Sequence, residues 1–205
     1  AGTVYSVVRH MGDNADLAGL AIVGAMGDRQ AMIGANRSIL EEAVISGAVE
    51  VKAGLKLSED GPVQGVFSRS IEPLLDFTGD REKIKEFLDG LKIKGNVESL
   101  KGDDLTRLCT ALTLKLIKQG SFAADSILGE VIRLRHEVVE NSLHMVQLLN
   151  ACGNRDLPGI GLTLCLRDQK ALIEAERLAD EYKDHILREI NILREQSQVM
   201  KNLRY

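Results

Sequence analysis

Aromatic residues are nearly missing from this chain: four Phe, three Tyr and no Trp make up 3% of 205 residues. A core without large rings must be built from Leu, Ile, Val, Ala and Met. Proline is scarce too, with only three, which argues against a turn-rich all-β fold and favours long helices. The three cysteines, Cys109, Cys152 and Cys165, are odd in number and far apart. That excludes a disulfide frame or a cysteine zinc site and reads as reduced, buried thiols of a cytoplasmic protein. No run approaches the ~20 apolar residues that cross a bilayer, and the expectation is a protein without a secretory leader. Basic residues hold no majority, with 26 Lys and Arg against 30 Asp and Glu. A net charge of −4 excludes a surface that grips nucleic acid by overall charge, though not a local basic patch. Internal repeats and low-complexity segments are absent. So is an initiator Met: Ala1-Gly2-Thr3-Val4-Tyr5 opens inside an apolar-periodic segment, and the expectation is a piece of a larger protein.

What remains is an ordinary globular composition, 44% hydrophobic and 27% charged, long enough for one large domain or two small ones. Periodicity predicts helices over 3–12 and 15–27, the second capped by Asp13, Asn14 or Asp16 and apolar nearly all round. Asn36 opens a helix to Ile45 that Gly47 stops, and Val49-Glu50-Val51-Lys52 alternates as a short strand. A weaker helix is read over 62–72 before Glu72-Pro73, and Gly79-Asp80 caps another over 81–90. The polar stretch 92–104 marks a sub-domain edge. Helices follow over 103–118, over 122–130 with Ser121 as cap, and over 136–151, which Gly153 ends. From Asp168 to about Leu203 runs one amphipathic helix, with Ala171, Ala175, Leu178, Tyr182, Ile186, Ile190 and Leu193 at spacings of three and four. Its length is roughly 50 Å at ~1.5 Å per residue.

The most informative stretch is Leu20-Ala21-Ile22-Val23-Gly24-Ala25-Met26-Gly27-Asp28-Arg29-Gln30, followed by Gly34-Ala35-Asn36. A small-residue apolar run delivers one carboxylate, Asp28, to the end of a buried element. Such a carboxylate caps the next turn or ligates a hard cation such as Mn²⁺ or Mg²⁺, which prefers oxygen. Gln30 and Asn36 either orient it, contact a phosphate, or, for Asn36, cap a helix. Around Gly153, Asn150, Asn154 and Arg155 form either a phosphate-facing helix end or a plain glycine C-cap with a surface arginine. Arg133, Arg135 and His136 make a small basic cluster that reads as a solvated face unless a ligand claims it. The four histidines lack metal-ligand spacing, and neither a nucleophile triad nor a P-loop is present.

Taken in order, several stretches resemble the archaeal RecJ-like members of the DHH phosphoesterase family, exonucleases associated with the GINS replication complex. The stretches are Gly2 to Tyr5, Ala21 to Asp28 with Gln30, Gly47 to Lys52, Leu55-Lys56-Leu57, Thr78-Gly79-Asp80, Leu148 to Gly153, and Cys165 to Asp168. The family's Arg directly after the glycine is Asn154 here, with Arg155 one place on. The resemblance implies a predominantly α chain: the helical C-terminal part of an α/β DHH phosphoesterase domain, with a helical insertion and a long connecting helix. Residues 1–54 and 136–167 would belong to the catalytic domain, 55–135 to the insertion and 168–205 to the connecting helix. Asp28 would be the last acidic ligand of a two-metal Mn²⁺ or Mg²⁺ site that hydrolyses phosphodiesters of single-stranded DNA or RNA in replication or repair. The upstream Asp-His-His ligands are not in this sequence, nor is the C-terminal Gly-Gly-His-type motif. The implication is a fragment inactive alone, whose insertion could dock a GINS-type partner. Three alternatives stay open: a catalytically silent scaffold of the replicative helicase assembly, a DHH phosphatase of short oligonucleotides, and a helical interaction module that dimerises through its C-terminal helix.

Overall fold

The computed structural model describes residues 1–125 and 127–202. The chain is predominantly α. Among the described residues there are nine α-helices and one two-stranded antiparallel sheet: α1 Gly2–Val8, α2 Ala18–Gly27, α3 Ala35–Ile45, β1 Val49–Leu55, α4 Val63–Arg69, α5 Arg81–Leu91, α6 Gly102–Lys118, β2 Leu128–Leu134, α7 Ser142–Asn154, α8 Pro158–Cys165 and α9 Gln169–Asn202. None of the described helices is long and apolar enough to cross a membrane.

Side chains sort into two hydrophobic clusters. The first joins α1, α2 and α3, the Val49 and Leu134 end of the sheet, α7, α8 and the first half of α9. The second lies wholly between Leu55 and Ile127 and gathers α4, α5 and α6 around Phe67 and Phe77. The few aromatics concentrate here: Phe67, Phe77 and Phe87 form a chain with ring centroids 6.0 and 5.0 Å apart. Ile93 and Leu100 are buried in this same cluster, so the polar stretch 92–104 runs over one core and does not mark an edge between two.

The sheet joins the clusters. β1 pairs with β2 from Val49↔Leu134 to Leu55↔Leu128. Its ends are buried in opposite clusters, while Lys52, Ala53, Gly129 and Glu130 are exposed between them. Gly54 faces Gly129 in this bare middle. α9 is the second connection. Ala175, Leu178 and Ala179 are buried in the first cluster, and further on Arg194 donates to the Leu75 and Thr78 carbonyls of the second.

Several elements differ from the sequence expectation. The segment 122–130, expected as a helix, is a 3-10 turn over Phe122–Asp125 followed by β2; the β-branched Val131 and Ile132 pair with Lys52 and Val51, far away in the chain. The first helix stops at Val8, where the Asn14 side chain donates to the last carbonyl. Asn14 therefore does not cap α2, which begins after a 3-10 turn with no side-chain cap. α7 starts at Ser142, not 136, and runs past Gly153 to Asn154. α8 forms over a stretch for which the sequence predicts no element. Asp80 does cap α5, accepting from the Lys83 amide, and α9 spans Gln169–Asn202, with Leu203 outside the described residues.

Candidate functional site

α2 explains why Asp28 stands where it does. The helix is apolar on every side and packs on both faces through glycines. A Cβ at Gly19 would meet Leu134 at 3.4 Å, and one at Gly24 would overlap the Ala1 Cβ. The element is thus fixed by close packing, and its first polar residue emerges at its end. Asp28 is that residue: C-cap of α2, its amide donating to the Gly24 carbonyl. It is exposed, and its carboxylate has no hydrogen-bond or ion-pair partner among the described residues.

Arg29 follows in a left-handed conformation, φ 54°. The turn brings Gln30 back to Asn36, whose Nδ2 donates to Gln30 Oε1 at 3.0 Å and to the Ala31 carbonyl at 3.2 Å. Asn36 therefore lies inside α3, whose N-cap is Gly34, and it braces the turn after Asp28 without capping the helix. Asp28, Gln30 and Asn36 thus share one turn. Asn150 and Arg155 do not join it. Asn150 is exposed on α7. Arg155 is the C-cap of α7 and pairs with Glu181 of α9 at 3.6 Å. The left-handed residue after α7 is Asp156, φ 55°, not Gly153.

The two arginines of the basic cluster, Arg133 within β2 and Arg135 just beyond it, are neutralised within the fold. Arg133 pairs with Asp60, which holds its guanidinium firmly charged, and Arg135 pairs with Glu50. Glu50 also takes Lys52 at 2.5 Å. These side chains line a cleft of about 690 Å³ in which both signs of charge are matched.

A second cleft, of about 500 Å³, opens beside the end of α2 where the two clusters meet. Arg29 contributes from the turn after Asp28, Lys56 and Ser58 from the strand exit, Ser121 from the end of α6, and Leu143, Val146 and Gln147 from α7. A Cβ at Gly27 would lie 3.9 Å from Val146, so this wall abuts the residue before Asp28. Arg29 pairs only loosely with Glu72, at 3.3 Å with both side chains largely exposed. Lys56 has no carboxylate partner among the described residues. Gln147 Oε1 is shut from solvent with no donor. Sequence reading singled out none of Arg29, Lys56 or Gln147 for a ligand. Only the lysine between two apolar residues in Leu55-Lys56-Leu57 gave a local signal.

The described residues do not hold a metal by themselves: among them no three His, Cys, Asp or Glu converge. Asp28 fits one position of a shared oxygen site and no more.

No protein-family model matches the chain. It is similar to an uncharacterized protein of Methanocaldococcus jannaschii, 28% identical over 193 residues. That match covers 93% of this chain and 43% of the relative, so the chain spans less than half the length of the protein it resembles.

Proposed function

We propose that this chain is the helical part of a metal-dependent phosphoesterase that hydrolyses single-stranded DNA or RNA, with Asp28 supplying one carboxylate to a Mn²⁺ or Mg²⁺ site. The observation that carries the reading is Asp28 itself, exposed, unpaired and fixed at the end of a tightly packed helix. A structural aspartate would accept a nearby amide or pair with a cation. Gln30 and Asn36 hold the turn beside it, and a cationic cleft opens next to it. The remaining ligands would come from protein outside these 205 residues. When bound, the metal would activate water and neutralise phosphate charge. This chain's own part is to fix one ligand and to present the cleft.

The test is Mn²⁺-dependent digestion of a labelled single strand by this chain and by a version extended upstream. Digestion by the extended form only, lost in Asp28→Ala, is the expected result. Digestion by neither would shift the reading to a scaffold. One observation favours that second reading: the second cluster leaves Leu114, Ile117 and Phe122 exposed, Phe122 at 95%. An apolar surface of this kind suits a protein partner of the GINS type. Failure of the chain to co-purify with such a partner would count against it.

A further inference from the structure

The cleft beside α2 combines features that neither cluster has alone. Of its cations, Lys56 has no carboxylate partner among the described residues and Arg29 has only its exposed pair with Glu72, whereas Arg133 and Arg135 in the larger cleft are held by Asp60 and Glu50. Two hydroxyls, Ser58 and Ser121, stand among them. The α7 wall is aliphatic at Leu143 and Val146 and polar at Gln147. Its volume falls within the range of about 300–1,000 Å³ typical of small-molecule sites. Gln147 Oε1 is closed off and stays an orphaned acceptor, which costs stability, so the amide nitrogen is the polar group of Gln147 left to meet a ligand in the cleft it lines. Cations and hydroxyls suit a phosphate, and an aliphatic wall carrying one amide suits a base, its face on the aliphatic groups and its edge at the amide.

We propose that this cleft holds one nucleotide unit of the strand, its phosphate against Lys56 and Arg29 and its base against Leu143 and Val146, read by Gln147. The assignment rests on the phosphoesterase reading for the polymer and deepens it by naming where a nucleotide beside the scissile region is held. Among the described residues Glu72 is the one carboxylate lining the cleft. An incoming phosphate takes its place on Arg29, because an exposed pair of this kind is weak.

The experiment is fluorescence anisotropy of a labelled single-stranded oligonucleotide with the 205-residue chain, in chelator and without metal. Lys56→Glu is expected to weaken binding about tenfold or more. Arg29→Ala, which removes a side chain that is 86% exposed, should weaken it in the same direction. Gln147→Leu is expected to weaken binding roughly threefold to tenfold while raising Tm, because it removes the orphaned amide. A purely structural glutamine would not separate those two readouts. Asp28→Ala should leave metal-free binding unchanged. A mononucleotide should compete, and inorganic phosphate at equal concentration should not; equal competition by phosphate overturns the base contact. Native-level binding by both Lys56→Glu and Arg29→Ala, or no binding by the unmodified chain, overturns the cleft. Binding that depends on Lys56, with no Mn²⁺-dependent digestion by the extended protein, would retain the cleft and remove the phosphoesterase reading. Digestion by the extended protein with a Lys56-independent affinity would do the reverse.

Discussion

Asn141 ties the two halves of the molecule together at a single residue. Its Oδ1 accepts from the Leu143 and His144 amides at the start of α7, and its Nδ2 donates to the Leu57 carbonyl at 3.0 Å. It is 4% exposed. Asn141→Ala removes a cap and leaves a buried carbonyl without a donor, so a loss of about 2–3 kcal/mol is expected in urea denaturation. Asp28→Ala, by contrast, should change stability by no more than about 0.5 kcal/mol, since the exposed carboxylate has no hydrogen-bond or ion-pair partner among the described residues. A larger loss would make Asp28 a structural residue. The thiols of Cys109 and Cys152 are buried and pushed up by desolvation, and that of Cys165 is raised by burial first and then by Glu137. A raised thiol is mostly protonated and unreactive at pH 8. Iodoacetamide should therefore label Cys109 and Cys152 only in denaturant. At this scale Asp28 was legible, because an apolar run ending in one acid is a local pattern. Lys56 and Gln147 were not, because they come from segments about 90 residues apart that only the fold brings to one cleft.

Among the elements, α9 was read most fully from sequence. Its stripe of Ala171, Ala175 and Leu178 is buried as the spacing predicts, whereas Leu193 further along the same stripe is 63% exposed. Asp168 caps it, accepting from the Lys170 amide at 2.7 Å. Asp168→Ala is expected to cost about 1 kcal/mol, read as a fall in Tm. Within α9, Glu176 meets His144 of α7 at 3.2 Å, and that hydrogen bond holds its carboxyl below the usual range. A carboxyl lowered in the folded state contributes above its unfolded pKa, near about 4.3, and loses that contribution as pH falls through its folded value. Glu176→Gln should therefore flatten the acid limb of the stability profile and do so most visibly below about pH 5. β2 escaped the sequence because its pairing partner lies in a distant part of the chain. α8 does carry a local signal, Pro158 at its first position, in a stretch too short for helical periodicity to register.

In the whole molecule, predominantly helical character followed from composition, whereas the separation into two clusters depended on which apolar faces meet. That separation has a topological result. Leu55 and Leu128 are directly paired across the sheet, so the 72-residue excursion that carries the Phe67 and Phe77 core leaves and returns to the same rung of a ladder. Seen from the first cluster, it is a hairpin loop of unusual content. Strands this close, about 5 Å apart, can be closed by two residues such as Asn-Gly. Replacing 56–127 by that turn should leave a protein that still melts cooperatively, though without the Asn141 and Arg194 contacts to the removed part. The same adjacency means that the second core can lengthen, shrink or be exchanged without moving Asp28, because both of its covalent ends sit on one rung and its other ties to the frame, such as those of Asn141 and Arg194, are side-chain contacts.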